Sequence, residues 1–168
     1  MLYLLDANIT ITAHGTYYPI DRVPEFWSWL QHQGERGNIK IPLEIMEEVK
    51  QGRKGDPLID WIQKPEVEQA LLLDESVDMG LVRRVVHAYA PDLTDDELEA
   101  IGRDPFLIAY ALAAPSDRCV VTTETSRPSA QRQNRKVPDV CKALGLLSCG
   151  PFDLNKTLEF RTQWRRQL

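Results

Sequence analysis

The sequence predicts an α/β protein, a three-layer α/β/α sandwich around a central, mainly parallel sheet. Two short apolar runs, at residues 3–5 and 119–123, have the continuous hydrophobicity of strands buried on both faces, and a carboxylate closely follows each run. Long helical stretches separate the predicted strands, and this β, α, β, α order favours parallel strands connected by helices. With 168 residues, the chain has the length of a single domain, 1–168.

The spacing of apolar residues, together with Pro and Gly, predicts the other elements. Residues 25–33 form a helix with a broad aromatic face that includes Trp27 and Trp29, which we assign to the core, with a partner-binding surface as the alternative. Gly34 and Gly37 end this helix, and Thr94 with Glu97 matches a capping box. In chain order, helices are predicted at 25–33, 43–50, 58–62, twice within 67–90, after Thr94, and at 106–114, 137–144 and 153–164, with further strands at 39–41 and 146–149.

The amino-acid composition argues against several classes of protein. Twenty Lys and Arg against twenty-five Asp and Glu give a net charge of −5, which argues against nonspecific coating of nucleic acid. The three cysteines have no CxxC spacing and the three histidines no HxxxH spacing, so we expect reduced thiols and no zinc site. No apolar run approaches the roughly 20 residues that span a bilayer, and the apolar start lacks a basic n-region. We therefore expect a cytoplasmic protein without membrane contact.

Four carboxylates occupy the ends or starts of predicted elements. They are Asp6, Glu48, Asp104 and Glu124. Each has an ordinary structural explanation, since Asp104 is placed to cap a helix, Glu48 to face solvent, and the other two to end strands. Taken together, they form an oxygen-rich set of the kind that hard divalent cations require.

These residues carry a family resemblance. The segments 4–8, 41–49, 104–111 and 120–124 resemble the successive acidic motifs of PIN-domain nucleases. Residues 17–19, the tryptophan helix and residues 136–141 are similar to a toxin-like bacterial and archaeal branch of that family, so the resemblance spans most of the chain. It implies a PIN-like fold.

The resemblance assigns metal binding and catalysis to four acidic residues: Asp6, Glu48, Asp104 and Glu124. Counting from Pro42 favours Glu48 over Glu47, and Glu44 shares a helix face with Glu48 and stays a reserve candidate. The fourth acid of the family is usually Asp, whereas this chain has Glu124. Two polar residues are assigned supporting roles: Thr122 and Asn8.

The implied function is a metal-dependent endoribonuclease that uses Mg²⁺ or Mn²⁺ to hydrolyse RNA phosphodiester bonds. The resemblance further implies the toxin of a type II toxin–antitoxin pair, with an antitoxin protein as partner and a homodimeric assembly. Cations near the acids are expected to hold the RNA backbone, with a solvated loop as the alternative explanation of the basic segment 126–136. The expected RNA-binding residues are Arg103, Arg127, Arg132, Arg135 and Lys136.

Two other functions remain open. The first is a PIN-like module that binds RNA or protein without cleaving, which the Glu at position 124 permits. The second is a phosphotransferase of the haloacid dehalogenase type, which also places an Asp after its first strand. That chemistry requires a second Asp two residues later, where this chain has Asn8, so we rank it low.

Overall fold

A sheet of four parallel strands lies at the centre of the computed structural model, which describes residues 1–167. The strands are β1 (Leu2–Leu5), β2 (Ile39–Lys40), β3 (Arg118–Val121) and β4 (Leu147–Cys149), in the spatial order β2-β1-β3-β4. The two central strands pair in register from Leu2 opposite Arg118 to Leu5 opposite Val121. Because parallel strands end at the same edge, residues after Leu5 and Val121 are brought side by side.

Helices flank the sheet and complete the predicted three-layer α/β/α sandwich, which confirms the predicted fold class. Several helices begin with Pro in their first turn, where its missing N–H costs nothing. None of the helices in residues 1–167 is long and apolar enough to cross a bilayer. The helices are α1 (Ala7–Thr12), α2 (Pro24–Glu35), α3 (Leu43–Lys50), α4 (Pro57–Ile62), α5 (Pro65–Leu71), α6 (Met79–Tyr89), α7 (Asp95–Ile101), α8 (Asp104–Leu112), α9 (Val137–Ala143) and α10 (Pro151–Thr157).

The core confirms the burial that the apolar runs predict. Leu4 and Leu5 of β1 and Val120 of β3 are fully buried. Trp27 and Trp29 of α2 are only 2% and 1% exposed, so both belong to the core rather than to a partner surface. The predicted capping box is present at the start of α7.

The predicted end of the tryptophan helix is confirmed at Gly37, which has a φ of 73°, the left-handed conformation of a Schellman motif. Gly34, also predicted to end it, lies inside α2 instead. The predicted closing helix 153–164 instead ends at Thr157, because Glu159 adopts a φ of 52° and the amide of Phe160 donates back to Asn155. This second motif uses Glu where Gly is usual, so the sequence carries no glycine signal for it.

At Gly34, helix α2 packs closely against the end of α5. A Cβ at this position would lie 2.7 Å from the carbonyl oxygen of Ala70 and 2.7 Å from Cδ2 of Leu71. One of these atoms belongs to the backbone, so the clash cannot be relieved by rotating a side chain. The absence of a side chain at Gly34 therefore sets the distance between the two helices.

We predict that Gly34→Ala lowers the free energy of unfolding by about 1–3 kcal/mol, the usual cost of overpacking. Gly15→Ala is the matched control, because its Cβ would meet no atom within 4 Å. Urea unfolding of the two variants measures the difference. Equal unfolding free energies for both would contradict the close packing at Gly34.

Candidate active site

Asp6 follows β1 directly and lies at the carboxyl edge of the sheet. Its backbone amide donates to the carbonyl of Val121 at 3.0 Å, and its side chain is buried, with the residue only 5% exposed. The hydroxyl of Thr122 donates to Oδ2 of Asp6 at 2.8 Å and accepts from the amide of Glu124 at 3.1 Å. Thr122 therefore orients Asp6 and shapes the turn that leads to Glu124.

Glu124 is held by two donors. Nζ of Lys136 donates to Oε1 at 2.8 Å, and the amide of Val137 donates to Oε2, also at 2.8 Å. Val137 is the first residue of α9, where the backbone amides have no partner within the helix. Glu124 thus fixes the start of α9 while part of its charge is neutralised by Lys136.

Asp104 is the first residue of α8, and its expected capping role is wrong. Arg103 occupies the cap position and no side-chain cap hydrogen bond is formed there. Oδ2 of Asp104 instead accepts from the hydroxyl of Tyr89 across a long 3.5 Å contact. The carboxylate is therefore directed into the protein rather than toward its own helix end.

The other three acids of the predicted set act on the carboxyl of Asp104. Burial raises the pKa of the Asp104 carboxyl to about 7. Three neighbouring negative charges add to this rise in the pKa, in decreasing order: Asp6, Glu124 and Glu48. Asp104 is therefore poised to change its charge near neutral pH.

Asp6 and Glu48 belong to the same electrostatic group. Burial raises the pKa of Asp6, against the opposing effect of the Thr122 hydroxyl. Partial desolvation and then the charge of Asp6 raise the pKa of Glu48, although Glu48 faces solvent. Its neighbour Glu47 differs, because its carboxylate pairs with Arg103 at 3.0 Å. Of the two adjacent glutamates, Glu48 is the one coupled to Asp6.

Glu44, the reserve candidate, faces a different environment. Burial raises the pKa of Tyr110 to about 12, and the charge of Glu44 adds to that rise. Oε2 of Glu44 is buried without a hydrogen-bond partner in the described chain. Asn8, in the first turn of α1, is exposed.

The donor set has the right chemistry for Mg²⁺ or Mn²⁺, since hard carboxylate oxygens are what these ions prefer. Within residues 1–167, no three His, Cys, Asp or Glu side chains are gathered closely enough to be a ready-made metal-binding group. Like charges repel one another, and both oxygens of Glu124 already accept from other groups. The acids are therefore near one another without forming a closed set of metal ligands.

Most of the expected RNA-binding cations have partners within the protein. Arg132 pairs with Glu97 and Asp92, Arg135 donates to the carbonyl of Ala88, and Lys136 pairs with Glu124. These contacts anchor segment 126–136 instead of leaving it as a free loop. In addition, Arg103 donates to the carbonyl of Glu44 at 2.5 Å and pairs with Glu47. Arg127 is exposed, and none of the described residues pairs with its guanidinium.

Sequence reasoning missed two residues that organise the site. Tyr89 lies in the stretch 67–90, for which only helices were predicted, and nothing in the sequence marks its hydroxyl as a donor to a residue 15 positions later. Asp139 accepts from the hydroxyl of Ser126 at 2.5 Å and from the amide of Arg127 at 2.7 Å. Its position in the first turn of α9 was the only available signal.

Comparison with known proteins gives one family match. The sequence model of a domain of unknown function (DUF4411) matches residues 3–162. No curated protein and no solved structure matches the chain.

The raised pKa of Asp104 predicts how stability depends on pH. Between about pH 4 and pH 7 the folded protein keeps a proton on Asp104 that the unfolded chain releases, so the free energy of unfolding falls as pH rises through this window. We expect a fall of up to about 4 kcal/mol in the absence of divalent ions.

Urea unfolding from pH 4 to pH 8 in EDTA measures this fall. Asp104→Asn should make the pH dependence shallower, whereas the exposed control Asp21→Asn should leave it unchanged. Identical pH profiles for the wild type and Asp104→Asn would show that Asp104 titrates normally.

Proposed function

We propose that this chain, which belongs to the DUF4411 family, is a divalent-metal-dependent endoribonuclease that hydrolyses RNA phosphodiester bonds. The observation that carries the proposal is the convergence of acidic groups on the buried carboxyl of Asp104, whose pKa is raised to about 7 by burial first and then by the neighbouring negative charges. This convergence lies where Asp6 leaves the carboxyl edge of a parallel sheet, the usual ligand position in such folds. The resemblance of the acidic motifs to those of PIN-domain nucleases supports the same chemistry.

An acidic pocket repels a phosphodiester unless a cation is present. Asp6, Glu48 and Asp104 would hold that ion, and Glu124 would join them on exchanging one of its present contacts. When bound, a divalent ion lowers the pKa of a water molecule and stabilises charge on the attacking and leaving oxygens. The proposal needs no nucleophile from the protein.

Other side chains of this site have positioning roles. Thr122 holds Oδ2 of Asp6 through its hydroxyl at 2.8 Å, which fixes one acid before any ligand arrives. Tyr89 does the same for Asp104 over a longer distance. Lys136 keeps a positive charge beside Glu124, where it is available to a phosphate that displaces the carboxylate. Arg127 is exposed and offers a second cation to the RNA backbone.

One observation favours a second candidate function. Both oxygens of Glu124 accept hydrogen bonds within the protein, which is also what a PIN-like module that binds RNA without cleaving it would show.

The toxin role, the antitoxin partner and the homodimer are proposed on the family resemblance alone. An antitoxin would act by covering the acidic pocket or by inserting a basic side chain into it.

We predict that Asp6→Asn and Glu48→Gln each lower RNA cleavage by about 100-fold or more, because loss of even an outer partner of a metal site costs 10- to 100-fold. Glu47→Gln is the matched control, since it removes only an exposed ion pair and should stay within about threefold of the wild type. The assay follows cleavage of a single-stranded and a structured RNA with Mn²⁺, and with EDTA as a blank. Full activity of Asp6→Asn would refute the assignment.

Calorimetry with Mn²⁺ separates the nuclease from the noncleaving module. The nuclease proposal predicts a saturable site in the wild type that Asp104→Asn weakens by at least about tenfold. A wild-type protein that binds RNA but shows no saturable Mn²⁺ binding would favour the second candidate.

A further inference from the structure

A polar recess lies beside the acidic site in segment 126–136. It is a cavity of about 590 Å³, within the range of small-molecule sites. Its walls include one hydroxyl and three side-chain amides, and Arg127 and Lys136 lie at the same recess. The hydroxyl and amide residues are Ser129, Gln131, Gln133 and Asn134.

The recess is held in a fixed shape. The guanidinium of Arg132 donates to both carboxylate oxygens of Glu97 at 2.6 Å and to the side chain and carbonyl of Asp92 at 2.8 and 2.9 Å. Arg132 also has a φ of 54°, a conformation that a non-glycine residue adopts only when its surroundings enforce it. Asp139 ties down the other end of the segment through Ser126 and Arg127. The polar groups on the recess wall are therefore presented on an anchored segment.

The wall chemistry indicates the kind of ligand. Within the described chain, the side chains of Ser129, Gln131, Gln133 and Asn134 have no hydrogen-bond partner, so their donors and acceptors are available. Of the three cations at the recess, Arg132 is matched by Glu97 and Asp92, and Lys136 by Glu124. The third, Arg127, is exposed at the edge of the segment. Neutral amides with adjacent donors and acceptors are suited to the edge of a nucleobase rather than to a bare phosphate.

The recess is joined to the acidic site by Lys136, which lines it and donates to Glu124 at 2.8 Å. We propose that this recess binds an unpaired nucleobase of single-stranded RNA next to the bond presented to the acids. Gln131 and Gln133 read the base edge, and the exposed guanidinium of Arg127 stacks on the base or contacts the adjacent phosphate. This inference rests on the proposed function, for which it supplies base selectivity.

The test measures binding without cleavage. Fluorescence anisotropy in EDTA gives the affinities of labelled single-stranded RNA decamers of A, C and U for the whole protein. We expect the wild type to bind the best decamer at least about tenfold more tightly than the weakest, the discrimination that amide contacts to one base supply. The double variant Gln131→Ala, Gln133→Ala should reduce this ratio to about threefold or less and leave the weakest decamer unchanged.

Gln51→Ala, Gln63→Ala is the matched control, since both glutamines are exposed and lie outside segment 126–136. It should retain the wild-type ratio, and thermal unfolding verifies that both double variants are folded. An unchanged ratio in the recess variant, or no discrimination by the wild type, overturns the inference. AMP carries the same base as the A decamer but no polynucleotide backbone, and it serves as a competitor. If AMP competes as well as the A decamer at equal base concentration, the inference is also overturned, because the recess would then bind a free nucleotide.

The outcomes distinguish this inference from the nuclease proposal. Selective binding that depends on Gln131 and Gln133, in a protein that does not cleave with Mn²⁺, would retain the recess and reject the nuclease. Cleavage with Mn²⁺ together with unselective binding would retain the nuclease proposal and reject base binding at the recess.

Discussion

The crowding of negative charge at one edge of the sheet is the constraint on which the rest of the structure depends. Parallel pairing of β1 with β3 places Asp6 beside Thr122 and the turn to Glu124. Helices α8 and α3 then bring Asp104 and Glu48 to the same region, where burial and like charge raise the pKa of Asp104 to about 7. At neutral pH the site can carry its full charge only at a cost in stability, which a bound cation would remove.

The surrounding contacts compensate for part of that charge and extend its influence across the molecule. Thr122 donates to Asp6, while Lys136 and the first amide of α9 donate to Glu124. From α9, Asp139 holds segment 126–136, and Arg135 connects that segment to α6 through the carbonyl of Ala88. Contacts of α9 and of segment 126–136 thus support both the acidic site and the polar recess.

The fold was predictable from the sequence because the residues that start and end its helices and strands lie next to those elements in the chain. Much of the site could not be predicted, because its contacts join residues that are far apart in the sequence. Helix α3 was predicted with its observed bounds because Pro42 and Gly52 bracket its apolar pattern. The closing helix was mispredicted because its stop depends on Glu159 in a left-handed conformation that glycine usually supplies. The internal partners of Arg132 lie 35 and 40 residues away, so the basic segment gave no sign of its ion pairs. Four acids could be named, but their mutual effect on Asp104 required the folded chain.

The pKa of Asp104, measured by carbon NMR of its side-chain carboxyl with and without Mg²⁺, tests the central claim most directly. Our account predicts a value near 7 in EDTA, because burial and the neighbouring acids disfavour the charged form, and a marked decrease on adding Mg²⁺. A value close to 4 in EDTA that Mg²⁺ does not change would mean that the acids neither crowd Asp104 nor hold a cation.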